Sequence, residues 1–216
     1  MDPRHKSVSL ADQIFEKLEQ DILSGKYSRG DVLTESKLSD ALGVSRTPIR
    51  EALRRLSMEH IIEDSARGSV VIGITKEDVK DIFKIRLPLE GVVAAETASR
   101  ITDEQLAELK EALELQEFYI SRDNTDNIRL MDSRFHELIY TFCGSTVFYD
   151  TLIPLHRKIQ KYRRASLADH TRAEVSLKEH KAIFDAIAAH DPRAAEAAAA
   201  EHVRNARARI LNGGEE

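Results

Sequence analysis

Apolar positions recur at helical spacing along most of this chain, in two runs of different character. Over residues 9–24, Ile14, Leu18 and Ile22 repeat every four residues and share one face of a predicted helix. Ser9 precedes that run, Asp12 follows three residues on as a capping partner, and Gly25 ends it. Thr34 opens a short second helix, "ESKLSDAL", and Gly43 supplies a tight turn. Ser45 caps a third helix over about residues 46–58, with Pro48 in the first turn, where backbone N–H groups have no intrahelical acceptor. The segment "IIEDSARGSVVIGI", residues 61–74, has two β-prone runs around "SARG". It predicts a small hairpin with Gly68 near the tip, where a positive φ is needed.

From Thr75 onward helical periodicity dominates. Six helices are expected, at about 76–100, 103–121, 126–143, 146–166, 172–190 and 192–211. Asp191 caps the last and Pro192 takes its first helical position. Pro88, inside the first of the six, predicts a kink or a local break. The fold class is therefore mainly α. A winged helix-turn-helix with a hairpin wing is expected over 1–74, and an all-α bundle of about six helices over 75–216.

Composition narrows the setting. The chain has 216 residues, which suits one large domain or two small ones, and with 42% of them hydrophobic and 32% charged it can bury a real core. No apolar run is long enough to cross a bilayer, and the first residues show no secretory signal. Cys143 is the only cysteine, so an internal disulfide framework is excluded and a cytoplasmic location is expected.

The net charge of -5 argues weakly against a nucleic-acid partner. Residues 1–75 hold 11 lysines and arginines against 12 acids, so any DNA-binding surface must be local. "GVSRTPIREALRRL", residues 43–56, supplies one. Arg46, Arg50 and Arg54 recur every four residues, spanning about 80° of a helix surface. Ile49, Leu53 and Leu56 lie on another side, available to pack on the other two helices. Ser45 and Thr47 add small donors at the N-terminal end, suited to phosphate or a base edge. Such a helix fits the major groove, where arginine pairs bidentately with guanine. A solvated face paired with Glu51 and Glu59 would have the same spacing.

Three of the eight histidines, with one aspartate, form a second pattern. "LMDSRFHELI" sets Asp132 and His136 one helical turn apart. "SLKEHKAIFDAI" places His180 among apolar residues, and "AAEHVRNA" carries His202 on the last helix. One carboxylate and three imidazoles suit one divalent transition metal, zinc first, with nickel or manganese also in range. Packed, hydrogen-bonded core histidines would give the same spacing. His60, His156, His170 and His190 read as surface or loop residues. A metal-dependent hydrolase or oxygenase could use the same set, but "HELIY" has Tyr140 where the H-E-x-x-H motif needs a second histidine. No E-x-x-H ligand pair, phosphate loop or nucleophile motif supports that alternative.

"LSDALGVSRTPIREALRRLSMEHII" followed by "RGSVVI" resembles the DNA-binding domain of the GntR family of bacterial transcription regulators. "FKIRLPLEGVVAAETA", "MDSRFHELI", "EHKAIFDAI" and "AAEHV" resemble, in order, motifs of the FCD domain, the helical effector domain of that family's FadR subfamily. The resemblance implies a non-enzymatic regulator. Arg46, Thr47 and Arg50 would enter the major groove, Arg54 would extend their stripe, Ser45 would bond phosphate, and Arg67 with Gly68 would form a minor-groove wing. Ser36 stands where some members carry an arginine. Metal-binding members place their ligands at the positions of Asp132, His136, His180 and His202.

The partners implied are double-stranded operator DNA of palindromic sequence, a small carboxylic-acid effector at the metal, and a second copy of the chain in a homodimer. A purely structural metal in a DNA-binding regulator is the other possibility. Arg86 matches the arginine of the R-x-x-x-E element, with Glu90 four residues on. It would either clamp an effector carboxylate or pair with Glu90. Tyr162 and Arg163 are further candidates for the effector cavity.

Overall fold

The computed structural model of the chain describes residues 9–159 and 170–212. It divides into two units, Met1–Thr75 and Lys76–Glu216.

In the first unit, α1 (Leu10–Leu23) starts with a full capping box. Asp12 N–H donates to Ser9 Oγ, and Ser9 N–H to Asp12 Oδ2, each at 3.1 Å. Ile14, Phe15, Leu18 and Ile22 are buried along one face. α2 (Glu35–Leu42) ends at Gly43 in the left-handed conformation, φ 67°, as a glycine C-cap should. α3 (Arg46–Met58) packs on α1 and α2. Its buried residues are Ile49, Ala52, Leu53 and Leu56, which leaves the arginine stripe outside.

Val32–Leu33 (β1), Ile62–Ser65 (β2) and Gly68–Val71 (β3) form an antiparallel sheet in the order β1-β3-β2. The hairpin pairs Ile62 with Val71 and Ser65 with Gly68. β1 was not expected, since two residues are too few to display a period of two. It explains Gly68 more fully than a turn does. φ there is +129°, and a Cβ would lie 2.6 Å from the Leu33 carbonyl oxygen. Glycine is required both by the backbone conformation and by the close approach of β1.

The second unit holds α4 (Lys76–Arg100), α5 (Asp103–Ile120), α6 (Thr125–Phe142), α7 (Thr146–Lys158), α8 (His170–Ala188) and α9 (Pro192–Asn212). α4 runs unbroken through Pro88, so the local break considered from sequence does not form. An interior proline costs a helix about 3 kcal/mol. Here α4 is held along its length by α6, α7, α8 and α9, and that packing outweighs the local penalty. Val93, Ala94, Leu109, Phe135, Ile183 and Ile187 are buried in this unit's core. At Gly91 a Cβ would sit 3.1 Å from Glu196 Cγ and 3.3 Å from the Glu196 carbonyl oxygen, so α4 and α9 close on each other there. α7 ends at Lys158 with Ile159 as a non-helical C-cap, φ -93° and ψ 7°, short of the residue 166 expected from sequence; Tyr162 and Arg163 lie outside the described residues. Among the described residues, no helix is long and apolar enough to cross a membrane.

Candidate metal centre and nucleic-acid interface

The arginine-bearing face of α3 is exposed at Ser45, Arg46, Thr47, Arg50 and Arg54. Ser45 takes the extended conformation of an N-cap, φ -67° and ψ 161°, but its hydroxyl makes no capping hydrogen bond. The cap expected from sequence is therefore one of position only. Arg50 is engaged by Glu35 of α2, with Nε donating to Oε1 and Nη2 to Oε2, both at 2.7 Å. The acids considered from sequence, Glu51 and Glu59, are not the ones that meet it. Glu35 lies fifteen positions upstream, where no helical period would reveal it.

Arg46 Nη2 lies 3.4 Å from Ser36 Oγ of α2. Arg55 points elsewhere. Its Nη1 meets Asp12 Oδ1 of α1, and its guanidinium lies 4.1 Å over the Phe15 ring. It ties α3 to α1 and does not belong to the outward stripe. On the wing, Arg67 is exposed at the turn between β2 and β3, and its N–H donates to Ser65 Oγ at 3.3 Å.

In the second unit, α6 presents Asp132 and His136 one turn apart, both buried, because Phe135, Leu138 and Ile139 draw the same side of the helix inward. His180 on α8 and His202 on α9 are buried as well. One ring nitrogen from each of His136, His180 and His202 lies within 4.8 Å of the others. Asp132 joins from the His180 side, with Oδ1 3.6 Å from Nε2. Two donors sharing one tetrahedral ion at bond lengths near 2.1 Å stand about 3.4 Å apart. The carboxylate is thus at a distance that sharing an ion allows.

Each histidine has an acceptor on its Nδ1 side. His202 Nδ1–H donates to Glu179 Oε2 at 2.8 Å. His180 Nδ1–H donates to Gln116 Oε1 of α5 at 3.0 Å. His136 Nδ1 faces Glu90 Oε2 at 3.6 Å, beyond hydrogen-bond length but close enough for attraction. Glu179 is itself fixed by Arg172, through two contacts of 3.1 Å, and by Asn205. An acceptor at Nδ1 leaves Nε2 as the lone-pair nitrogen, the arrangement of metal-ligating histidines. His136 Nε2 is buried and has no hydrogen-bond partner among the described residues. An ion would satisfy that nitrogen, and neutral imidazoles with a carboxylate are the donors a divalent transition metal takes. The residues fit the group.

Beside the cluster, Arg86 Nε donates to Glu90 Oε1 at 2.5 Å, and both side chains are buried. The pairing of Arg86 with Glu90, one of two roles open from sequence, is made. Burial alone would raise the Glu90 pKa, but Arg86 beside it carries it below the usual carboxylate value. Arg86 Nη1 has no hydrogen-bond partner among the described residues.

One reading from sequence is overturned. His156, taken as a surface or loop residue, is buried on α7 with its ring 5.0 Å from that of His136. In "IPLHRKI" it has apolar neighbours only on some sides, and the signal was too short to separate from a helix end.

Burial lowers the His136 pKa to about 4 despite attraction from Glu90. Burial, then repulsion from His136, holds His156 well below its ordinary value. An unfolded chain takes up these protons near pH 6.5, whereas the folded chain resists until far lower. The stability they contribute is complete above pH 6.5 and is lost as pH falls toward 4. In chelator-stripped protein the melting temperature should drop steadily from about pH 7 to about pH 4. His136 alone would account for on the order of 3 kcal/mol at the acid end. A flat profile over that range would show that the rings are not buried neutral.

Comparison with known proteins bears on both units. Residues 10–72 match the family described as bacterial regulatory proteins, gntR family, and residues 81–205 match the FCD domain. A regulator of Bacillus subtilis (strain 168), the uncharacterized HTH-type transcriptional regulator YdhC, is 32% identical over 81% of this chain and 79% of its own length. The HTH-type transcriptional repressor RspR of Escherichia coli (strain K12) is 31% identical over 89% of this chain and 85% of its own. Among solved structures, E. coli McbR/YncC superposes with a TM-score of 0.83 at 23% identity, over 95% of this chain and 99% of that one. That likeness speaks for the fold.

Proposed function

The chain belongs to the gntR family of bacterial regulatory proteins and carries an FCD domain, and on that premise we propose that it is a metabolite-responsive repressor acting as a homodimer on a palindromic operator. It is a DNA-binding transcription regulator and not an enzyme. That RspR is named a repressor supports the sign of regulation. Its place of action is the cytoplasm, where the operator DNA lies.

Arg46, Thr47 and Arg50 read base edges in the major groove, Arg54 continues their stripe, and Ser45 holds a phosphate through its uncapped hydroxyl. Arg67 and Gly68 carry the wing toward the minor groove. Two such units, related by the two-fold axis of a dimer, match two half-sites about one DNA turn apart.

The observation that carries the sensing role is the buried cluster of His136, His180 and His202 with Asp132 at its side. These four residues would hold one divalent ion, zinc in the first place, with nickel or manganese as the alternatives. Once bound, such an ion supplies a Lewis-acidic point for a carboxylate oxygen. Arg86 keeps Glu90 ionised and has its Nη1 hydrogens left to donate to an anionic effector. Operator affinity then changes only as far as the effector prefers one state of the protein to the other.

The test is an operator titration with metal-loaded protein across a panel of small carboxylic acids, with light scattering on the same samples. One acid should shift operator affinity and raise the melting temperature by mass action. A monomer both free and on the operator would refute the dimer, and an operator affinity deaf to every acid while metal is bound would favour a purely structural ion.

Arg50→Ala should cost about 1–3 kcal/mol of operator binding, because a bidentate base contact is lost. Folding should be nearly unaffected, since Arg50 and Glu35 form an exposed pair of little net value. Equal losses on operator and random DNA, with a shallower salt slope, would make Arg50 a phosphate contact instead.

A further inference from the structure

The three histidines differ in what holds them. His202 leans on the carboxylate of Glu179 and His136 faces that of Glu90, but His180 leans on an amide. We infer that Gln116 of α5 is the positioning residue that selects which nitrogen of His180 faces the cluster, so that a helix supplying no ligand governs metal uptake. This inference rests on the metal reading above.

The geometry is specific. Gln116 is fully buried, and its Oε1 is 3.0 Å from His180 Nδ1. An amide oxygen only accepts, so Nδ1 carries the proton and Nε2, 3.6 Å from Asp132 Oδ1, carries the lone pair. The other half of the amide, Nε2 of Gln116, is buried without a hydrogen-bond partner among the described residues. A buried, unmet NH2 group is a standing cost. The opposite orientation would aim that NH2 at His180 Nδ1 and force the proton onto Nε2, closing the nitrogen that faces Asp132.

Glu90 and Glu179 have no donor to offer while ionised, so their histidines have no such second state. Gln116 is the one member of the outer set that can hold its histidine in either form. A change at this residue should therefore reset the metal affinity without touching a ligand. Loss of an outer partner of this kind typically costs about 10–100-fold in metal affinity.

The experiment compares wild type with Gln116→Met and Gln116→Glu. Methionine keeps the bulk and removes the acceptor, whereas glutamate keeps an acceptor and adds charge. On metal-stripped protein, long-range 15N–1H spectra of the imidazoles read the His180 tautomer directly. On zinc-loaded protein, chelator competition reads affinity. The expected result is His180 protonated at Nδ1 in wild type and Gln116→Glu. In Gln116→Met the proton should move to Nε2 or divide between the nitrogens, and zinc affinity should fall about 10–100-fold. Gln116→Glu should bind zinc at least as tightly as wild type. Melting of the stripped proteins guards against misfolding: Gln116→Met removes one unmet buried NH2 but leaves His180 Nδ1 without its acceptor, so it should melt close to wild type.

If the tautomer and the zinc affinity of Gln116→Met match wild type, the assignment is overturned. If wild type takes up no zinc while the tautomer still follows residue 116, the metal centre fails and the positioning role stands.

Discussion

His180→Ala is expected to strip the protein of metal. His180 is fully buried, stacks on Phe135 with centroids 4.6 Å apart, and stands 4.7 Å from the His202 ring, at the meeting point of α6, α8 and α9. Losing its imidazole removes a donor, where losing an outer partner costs only about 10–100-fold. The loss should therefore exceed 100-fold, which equilibrium dialysis against zinc or nickel would read as empty protein. Metal binding links three helices, so the wild type should gain melting temperature on metal addition and the variant should not. His190→Ala is the matched control: that ring bonds the Ala98 carbonyl at 2.9 Å and is no part of the cluster. Wild-type protein that gains no stability from any divalent transition metal would return the histidines to the role of packed core residues.

Arg86→Ala is expected to lose about 3–5 kcal/mol of folding stability, the cost of leaving one member of a buried ion pair without the other. The arginine is 2% exposed and Glu90 4%. Once the guanidinium is gone, Glu90 must either ionise alone or take up a proton. The denaturation midpoint of metal-free protein should fall, and it should fall less at acid pH, where the carboxyl is neutralised in both states. The double variant Arg86→Met, Glu90→Gln should recover much of the loss, because no charge then remains to be buried. A cost below about 1 kcal/mol for Arg86→Ala alone would mean that water reaches the pair.

The elements were legible wherever local chemistry decides them. Ser9 with Asp12 brackets α1, Gly43 closes α2, and Asp191 with Pro192 opens α9, all within the first few contacts along the chain. Apolar spacing also separated the buried side of α3 from its arginines. Asp132 and His136 showed themselves by standing one turn apart.

What stayed hidden depends on pairings between distant segments. β1 exists because Val32 and Leu33 happen to meet Val70 and Ser69. Arg50 finds Glu35 across a helix boundary, and His180 finds Gln116 sixty-four residues away. A glutamine in "LELQEF" looks like any surface polar residue until α8 is packed against α5. Glu179, next to His180 in sequence, turns about 100° from it on the helix and so serves His202 instead.

The close approach at Gly91 falls on the same pair of helices that brings His202 to the proposed cluster. With no side chain there, α4 lies close against the Glu196 side chain and carbonyl oxygen of α9. His202 lies two residues beyond Ala200, whose Cβ would already be 3.9 Å from a Cβ at position 91. One added methyl group would act as a shim, asking the Glu196 side chain and carbonyl of α9 to give by a few tenths of an ångström on the helix that carries His202. Coordination bonds tolerate errors of about that size and little more. Gly91→Ala should therefore weaken metal uptake at the proposed site more than it lowers the melting temperature of metal-free protein, as dialysis and melting of the same samples would show.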